Sequence, residues 1–518
     1  MNGAQALIRT LVDGGVDVCF GNPGTSEMHF VAALDSVPEM RAVLALFEGT
    51  VTGAADGYGR MAGRPAATLL HLGPGLGNGL ANLHNARRAH TPIVNVVGDH
   101  ATYHKRFDAP LESDIDAIAG TVSGWVRRSG RVSDVAADAA AAIAAAGAPP
   151  GQVATLILPA DVSWSDGAVP AAPMASASVA IVPDDVVASV AKVLGSGEPT
   201  VLLLGGMALR DDAAIAAASR LAAATGLTVL AETFPARIRR GAGIPSIDRL
   251  GYLAEHVQYQ LAGAKHLVLA GARSPVSFFA YPGKASDLVP EGCVVHTLAD
   301  IAQDSVSALA NLADLLADGT EPVRAPARRP ELPTGDLTPQ NWADVIGALL
   351  PENAIIVDEA NTSGVLVPQA TVGAPAHDVL TLTGGAIGQG LPAATGAAVA
   401  CPDRPVICLE ADGSAMYTLS ALWTHAREDL NITTIVLANR AYAILRMELQ
   451  RVGAESGGER AASLLDLSRP DLDFVALANG MGVPASRART AEDLADQLRR
   501  TSTEPGPHLI EAVVPALM

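Results

Sequence analysis

The chain has 518 residues, four cysteines and a formal net charge of −19. Its length exceeds one ordinary hydrophobic core and predicts two or three domains. The acidic balance weighs against nucleic acid or an anionic membrane as a partner. No apolar stretch of the sequence approaches the ~18–20 residues needed to cross a bilayer. The four cysteines show no C-x-x-C spacing, which is typical of proteins in a reducing cytosol. The composition therefore predicts a soluble cytoplasmic protein.

Short apolar runs alternate with helical patterns through the first third of the chain. Strands are predicted at residues 16–20, 41–47, 66–70 and 92–97. A helix predicted at residues 51–61 is rich in glycine and alanine, which allow a close approach of neighbouring backbone. This alternation predicts a doubly wound parallel sheet.

Two irregular stretches, residues 167–180 and 318–336, are rich in proline and are predicted to be linkers. The alternation of strands and helices resumes after each of them. We therefore predict an α/β protein with three doubly wound parallel-sheet domains, at residues 1–165, 182–317 and 337–518.

Two predicted strands in the last third end in side chains that carry oxygen. A buried run at residues 406–409 precedes Asp412, and a strand at residues 432–438 ends on Asn439. A right-handed βαβ crossover places both strand ends at one sheet edge, beside a helix N-terminus that attracts phosphate. Mg²⁺ takes few protein oxygens and completes its shell with water and phosphate, so Asp412, Asn439 and the carbonyl of Ala441 are candidate ligands. Taken singly, each motif is also a common turn or cap.

The arrangement resembles the signature of the thiamine-diphosphate-dependent superfamily that contains the acetolactate synthases and 2-oxoacid decarboxylases. There a Gly-Asp-Gly motif is followed, just under thirty residues later, by an Asn-Asn or similar pair. In this chain Ala411 and Ala438 replace the first member of each motif, and both ligand side chains are kept. The resemblance implies thiamine diphosphate and Mg²⁺ as cofactors, and a cofactor site that includes Gly413, Ser414 and Tyr442.

Glu48, which follows the second predicted strand, fits the same resemblance. In the family, a carboxyl group at this place hydrogen-bonds the cofactor's pyrimidine and favours the imino tautomer that removes the C2 proton. The alternative is a glutamate stabilised by the dipole at a helix N-terminus. With the metal motif present, we expect the catalytic role.

Three further segments follow the family's order. The resemblance implies that Ile387 wedges between the two cofactor rings and forces their bent conformer, and that the carbonyl of Gly385 holds the 4′-amino group. It also implies that Asn361 and Thr362 donate to the diphosphate. Residues 73–78 match the family's Gly-Pro-Gly-x-x-Asn segment and are predicted to form a loop. Glycine loops of this kind also occur in other α/β folds.

The resemblance covers nearly the whole chain. It implies pyrimidine-binding, central and diphosphate-binding domains in that order. It also implies a homodimer or homotetramer whose active sites lie between subunits, with Glu48 from one subunit and Asp412 from the other.

The layout looks most like that of acetolactate synthase large subunits, but the chain departs from them at several places. Gly49 replaces the glutamine that follows the activating glutamate in those synthases. Residues 107–114 differ from their Asp-Ala-Phe-Gln-Glu segment, and residues 249–252 stand where they have a flavin loop. These departures put FAD binding and standard acetolactate synthesis in doubt.

Benzoylformate decarboxylase is the other near relative by resemblance. Leu70-His71 matches its Leu-His at a catalytic histidine, and Thr25 falls at its active-site serine. Its second histidine has no counterpart in residues 277–281. A histidine that is half-ionised near neutral pH can donate a proton to the enamine, although His71 at a strand end could equally be structural. His100 and His104 are weaker candidates.

We therefore predict a thiamine-diphosphate- and Mg²⁺-dependent 2-oxoacid decarboxylase or carboligase, acetolactate synthase-like, that forms an enamine after loss of CO₂. The first alternative is a benzoylformate-decarboxylase-type lyase that releases an aldehyde. An alternative of another class is a non-catalytic paralogue that binds the cofactor. A nucleotide-binding oxidoreductase is disfavoured because no G-x-G-x-x-G opens a helix with an acid ~20 residues later.

Overall fold

The computed structural model describes residues 1–453 and 458–515. Its strands form three sheets, of six, five and seven strands, and nearly all neighbouring strands are parallel. This confirms the prediction of an α/β fold with three parallel-sheet units. Within the described ranges, no helix combines the length and the apolar character needed to cross a membrane.

The first sheet has the strand order β2-β1-β3-β4-β6-β5. Its central strands β3, β4 and β6 are buried along their whole length, and most of their residues are apolar because helices cover both faces of a parallel sheet. The elements of this unit are α1 (Gly3–Asp13), β1 (Val18–Gly21), α2 (Met28–Leu34), β2 (Arg41–Leu44), α3 (Glu48–Ala62), β3 (Ala66–Leu70), α4 (Leu72–Ala89), β4 (Ile93–Asp99), α5 (Ile115–Gly120), β5 (Trp125–Arg128), α6 (Val135–Gly147), β6 (Val153–Pro159) and α7 (Ala160–Trp164).

The middle sheet has the order β10-β8-β7-β11-β12. Helices α9 and α11 pack together on it, and their apolar residues form part of one continuous core. The elements are α8 (Asp184–Leu194), β7 (Thr200–Leu204), α9 (Asp212–Thr225), β8 (Thr228–Ala231), β9 (Ile238–Arg240), β10 (Asp248–Arg249), α10 (Ala254–Gln260), β11 (His266–Ala270), β12 (Val294–Ala299) and α11 (Ser305–Leu316).

The third sheet has the order β17-β18-β16-β15-β13-β14-β9. Strand β9 comes from the middle of the chain and pairs antiparallel with β14, which the sequence pattern did not predict. The remaining elements are α12 (Pro339–Leu349), β13 (Ile355–Glu359), α13 (Val367–Ala370), β14 (His377–Thr381), α14 (Gly390–Ala400), β15 (Val406–Ala411), α15 (Asp412–Ala415), α16 (Ala421–Arg427), β16 (Ile432–Ala438), α17 (Ala443–Arg451), α18 (Glu459–Ser463), α19 (Phe474–Gly480), β17 (Ala485–Ala488), α20 (Ala491–Thr503) and β18 (His508–Val513).

Helices α3 and α14 join the first and third units through direct backbone contact. A β carbon on Gly57 would overlap the carbonyl of Ala393, and one on Gly396 would overlap the carbonyl of Ala54. The predicted role of small residues in α3 is therefore confirmed. The apolar cores of the two units merge at this contact.

The predicted loop at residues 73–78 is wrong, because these residues lie within helix α4, which begins at Leu72. His71 precedes the helix in an extended conformation. Pro74 falls in the first turn, where backbone N–H groups have no partner inside the helix and a proline is tolerated. The glycines and proline therefore mark the start of a helix rather than a loop.

A buried carboxylate, Asp378 on β14, anchors the β9 segment to the third unit. It is fully buried and accepts from Arg237 Nε at 2.7 Å and Arg404 Nη2 at 2.6 Å. Burial alone would raise the pKa of Asp378, but the charges and hydrogen bonds of Arg237 and Arg404 hold it below its ordinary value. The ion pairs therefore favour the folded state when Asp378 is charged.

We expect Asp378→Asn to lower the stability of the protein at about pH 7 by about 3 kcal/mol, because it leaves partly buried arginines without their buried counter-charge. Because the pKa of Asp378 is lower in the folded than in the unfolded state, its charge stabilises the fold at pH values above the unfolded pKa. This stabilisation is lost as the pH falls through the folded pKa. The difference in the free energy of unfolding between variant and wild type should therefore become smaller below about pH 4. Urea midpoints at both pH values test this, with exposed Asp185→Asn as the matched control. Equal midpoints for Asp378→Asn and wild type would contradict it.

Candidate active site

The ends of β15 and β16 lie side by side, as the βαβ prediction requires, with Ala411 paired to Leu437. Asp412 follows β15 and is buried. Its Oδ2 accepts the backbone N–H of Arg440 at 2.6 Å, and its Oδ1 accepts that of Gly413 at 2.8 Å. These bonds fix the carboxylate beside the turn that follows β16.

Asn439 is held in the same turn. Its Oδ1 accepts the backbone N–H of Ala441 at 3.0 Å, and its Nδ2 donates to Ser363 Oγ at 3.3 Å. A carboxylate, an amide oxygen and a main-chain carbonyl are hard oxygen donors, which suit Mg²⁺. Across the described part of the chain, no group of three or more His, Cys, Asp or Glu side chains could hold a metal ion. The oxygen set therefore fits a metal that takes few protein ligands.

The predicted diphosphate residues surround the same edge. Asn361 begins a 3-10 turn after β13 and donates from Nδ2 to Ser414 Oγ at 3.0 Å. Thr362 is the next residue of that turn. The ring of Tyr442 packs against Gly413, leaving no space there for a β carbon. The structure thus brings these five predicted residues together with Asp412 and Asn439.

Glu48 lies in a second group, on the first unit. It is the first residue of α3, and it is 7% exposed. Asn78, in helix α4, donates from Nδ2 to Glu48 Oε2 at 3.0 Å. The predicted glutamate and the Gly-Pro-Gly-x-x-Asn segment therefore meet, at a helix N-terminus that lies beyond the end of β2 at Leu44.

His71 belongs to this second group. Its Nδ1 lies 2.7 Å from Glu27 Oε2, in the 3-10 turn Thr25–Glu27. Thr25 begins that turn and is exposed. The rings of His100 and His104 pack against each other, with centroids 5.4 Å apart, and within the described ranges no hydrogen bond joins either of them to His71.

The two groups are separate within one chain. Among residues 1–453 and 458–515, no hydrogen bond joins the Glu48–His71 group to the Asp412–Asn439 group. The predicted wedge residue Ile387 and its neighbour Gly385 lie on the segment before α14, whose carbonyls at Ala386 and Gly388 accept from Asn85 at 2.8 Å and Asn82 at 3.3 Å.

Comparisons with known proteins identify this arrangement. Residues 1–119 match the family model of the thiamine pyrophosphate enzyme, N-terminal TPP binding domain. Residues 368–512 match that of the thiamine pyrophosphate enzyme, C-terminal TPP binding domain. The chain belongs to the thiamine pyrophosphate enzymes.

Full-length relatives support the assignment. The chain is 67% identical to “Putative acetolactate synthase large subunit IlvX” of Mycobacterium tuberculosis, covering 100% of both chains. It is 30% identical to a benzoylformate decarboxylase of Pseudomonas aeruginosa, with 96% of each covered. The solved thiamine diphosphate-dependent 4-hydroxybenzoylformate decarboxylase of Rhodococcus jostii RHA1 superimposes with a TM-score of 0.86 at 25% identity, covering 99% of each chain. The predicted resemblance to both named groups is therefore confirmed, and so is the prediction of a thiamine-diphosphate-dependent enzyme.

Sequence reasoning missed a function for Glu359 in this thiamine pyrophosphate enzyme. Glu359 ends β13, is 2% exposed and accepts the backbone N–H of Gly388 at 2.7 Å and that of Gly390. Burial raises the pKa of Glu359 to about 7, against the opposing effect of these N–H donors. The carboxyl group therefore fixes the segment that carries Gly385 and Ile387.

Glu410 is the neighbour of Glu359 on the adjacent strand. Two causes raise the pKa of Glu410 well above its ordinary value: burial is the larger, and the charge of Glu359 is the second. Two buried carboxyl groups in contact cannot both ionise easily. Glu410 therefore holds its proton more strongly than Glu359, and the glycine N–H groups stabilise the charged form of Glu359.

We expect Glu359→Gln to loosen the segment before α14, because an amide can accept from one of the two N–H groups but presents donors to the other. A hydrogen bond to a charged group contributes roughly 1.5–3 kcal/mol, so amide exchange at Gly388 and Gly390 should speed up by about 10- to 100-fold. Hydrogen–deuterium exchange of the peptide that carries residues 384–390 measures this.

Glu410→Gln is the matched control, since it replaces a carboxyl group that is already neutral by an amide of the same shape. It should leave exchange in the same peptide unchanged. Equal exchange in the two variants would show that Glu359 does not hold the segment.

Proposed function

We propose that this thiamine pyrophosphate enzyme removes CO₂ from a small 2-oxoacid. The observation that carries the proposal is the buried carboxylate of Glu48, with Asn78 on one oxygen and no hydrogen-bond partner for Oε1 in the described part of the chain. Thiamine diphosphate, when bound, supplies a carbanion that adds to the 2-oxo group and accepts the electron pair left by CO₂. Glu48 Oε1 is free to share a proton with a nitrogen of the cofactor's pyrimidine.

The second group supplies the remaining parts of the proposed site. Asp412, Asn439 and the carbonyl of Ala441 would hold Mg²⁺. Binding of the cofactor would involve its pyrimidine at Gly385 and Ile387, and its diphosphate at the residues Asn361, Thr362, Gly413, Ser414 and Tyr442. N–H and hydroxyl groups at this sheet edge, buried at Gly413 and Ser414 and more exposed at Asn361 and Thr362, suit an anion.

His71 favours aldehyde release as a second candidate outcome, beside the acetolactate synthase-like ligation to a second carbonyl. Its ring lies in the same group as Glu48, and its side chain is 22% exposed. A histidine at such a position can deliver a proton near neutral pH. The names of the relatives include both reactions, since one is called an acetolactate synthase subunit and another a benzoylformate decarboxylase.

The proposed active unit is a homodimer or homotetramer with Glu48 and Asp412 from different subunits. The surface around the two groups supports this. Large apolar side chains are also exposed beside both groups, at Leu46, Val365 and Tyr417, as is typical of surfaces that a partner covers. We further propose that residues 1–165 form the pyrimidine-binding domain, residues 182–317 the central domain and residues 337–518 the diphosphate-binding domain. Gly385 and Ile387 of the last domain would also contact the pyrimidine.

A cytoplasmic location is part of the proposal. Cys19, Cys293, Cys401 and Cys408 are free thiols, which is typical of proteins in a reducing compartment.

We expect Glu48→Gln to reduce CO₂ release at least about 100-fold, because an amide cannot exchange a proton with the pyrimidine. Wild type and variant would be assayed with thiamine diphosphate, Mg²⁺ and a panel of pyruvate, 2-oxobutyrate, benzoylformate and oxalyl-CoA. Exposed Glu352→Gln is the matched control and should behave as wild type. Undiminished release by Glu48→Gln would refute the role of Glu48, and no release by the wild type would leave cofactor binding alone.

Magnesium affinity should weaken as the pH falls through about 6. Burial raises the pKa of Asp412 to about 6, against opposing N–H donors at Arg440 and Gly413. The protonated form cannot ligate a metal, so the apparent affinity for Mg²⁺ should be about 10-fold lower at about pH 5 than at about pH 7.5. Magnesium titrations of cofactor binding measure it. Asp412→Asn should show no such pH dependence, and a flat wild-type profile would contradict the expectation.

A further inference from the structure

Glu27 has a buried carboxylate whose hydrogen-bond partners are Gly24, Ser26 and His71. It is 1% exposed. Its Oε2 accepts the backbone N–H of Gly24 at 2.8 Å, and its Oε1 accepts the hydroxyl of Ser26 at 2.6 Å. The remaining contact is His71 Nδ1, 2.7 Å from Oε2. Within the described ranges no arginine or lysine pairs with Glu27, so the imidazole is the group that faces its charge.

The network fixes the proton on His71. A carboxylate only accepts hydrogen bonds, so Nδ1 must be the donor. Ser26 Oγ, 3.2 Å from the same nitrogen, already donates to Glu27 and can only accept a second bond from Nδ1. The proton that the ring can exchange is therefore the one on Nε2.

Two glycines close around the pair. A β carbon on Gly24 would overlap the ring of His71, and one on Gly98, at the end of β4, would overlap the carboxylate of Glu27. The backbone at Gly24 and Gly98 therefore packs directly against the two side chains. The loop after β1 and the end of β4 thus form a rigid support for the imidazole.

We propose that Glu27 is a positioning residue that holds His71 by Nδ1 and presents Nε2 to the substrate. The inference rests on the proposed function and assigns the proton donor of that same site. In the step it supports, the Nε2–H bond breaks, a C–H bond forms at the former carbonyl carbon after CO₂ has left, and Nε2 regains a proton from water. The carboxylate keeps Nδ1 as the anchored nitrogen, so that Nε2 is the one left to exchange a proton.

Other charged groups lie farther from the ring or are already paired. Glu48 lies on the other side of Gly75, whose β carbon would be 3.4 Å from His71 Cβ and 3.2 Å from Glu48 Oε1. Asp99, next to Gly98, is paired with Lys105 at 3.1 Å and with Arg128. Glu27 is thus the carboxylate in direct contact with the imidazole.

The test compares Glu27→Gln with wild type in two independent measurements. In the first, kcat for CO₂ release should fall about 10- to 100-fold with little change in KM, as for other outer partners that orient a functional histidine. The second does not need activity. Diethyl pyrocarbonate reacts with unprotonated imidazole, and mass spectrometry of the peptide that carries His71 gives its rate at about pH 6. Without the carboxylate the ring is no longer held at Nδ1 and its nitrogens become more accessible, so this rate should rise about 10-fold.

Glu39→Gln is the matched control, because it removes a surface glutamate from the same unit; both readouts should stay at the wild-type value. Glu27→Asp retains the charge but shortens its reach by one methylene, so it should keep the modification rate closer to wild type while lowering kcat. Glu27→Asp also provides the test of the positioning role if Glu27→Gln does not fold.

The two proposals fail differently. A wild type that releases no CO₂, with faster modification of His71 in Glu27→Gln, would overturn the proposed function and retain the contact of Glu27 with His71. An active wild type with unchanged kcat and an unchanged modification rate in Glu27→Gln would overturn the positioning role.

Discussion

The contact between helices α3 and α14 is the constraint on which both parts of the site depend. The backbones touch at Gly57 and Gly396 with no space for a β carbon, and buried Arg60, paired with Asp56 at 2.6 Å, donates to the carbonyl of Thr381 at 2.7 Å across the same contact. Each helix begins at a functional segment. Helix α3 starts at Glu48, and α14 starts directly after the segment that contains Ile387. Fixing the two helices against each other therefore fixes the two segments that we propose to contact the cofactor, which loops alone would hold less precisely.

Four buried carboxyl groups of the site differ mainly in what they contact. Glu48 meets a neutral amide, Glu27 an imidazole, and Glu359 and Asp412 meet backbone N–H groups. A buried charge is tolerated only when donors surround it, and the kind of donor decides what the group can do. The two groups bound by backbone N–H serve as fixed oxygen anchors. Glu48 keeps an oxygen available for proton sharing, and Glu27 transmits its charge to a ring that can carry a proton.

How much of this could be read from the sequence depends on whether the deciding contacts are local. Strands 66–70 and 432–438 were predicted with the limits that the structure shows, because a buried parallel strand is a continuous apolar run. The pairing of Asp412 with the turn at Asn439 follows from one βαβ unit. Glu27 lies 44 residues before His71 and forms its contact only through the folded sheet. Strand β9 was missed for the same reason, since its partner β14 lies more than a hundred residues away.

The residue after Glu48 shows how the chain departs from the synthases it resembles. Those synthases carry a glutamine where this chain has Gly49. In the structure a β carbon on Gly49 would overlap the ring of Phe47, so an aromatic ring occupies the space that a glutamine side chain would need. The space beside Glu48 is therefore apolar where those synthases carry an amide. An apolar wall offers no hydrogen bond to a second 2-oxoacid, whereas the Glu27–His71 pair offers a proton. The two features together support aldehyde release as the second candidate outcome that we propose for the decarboxylated substrate.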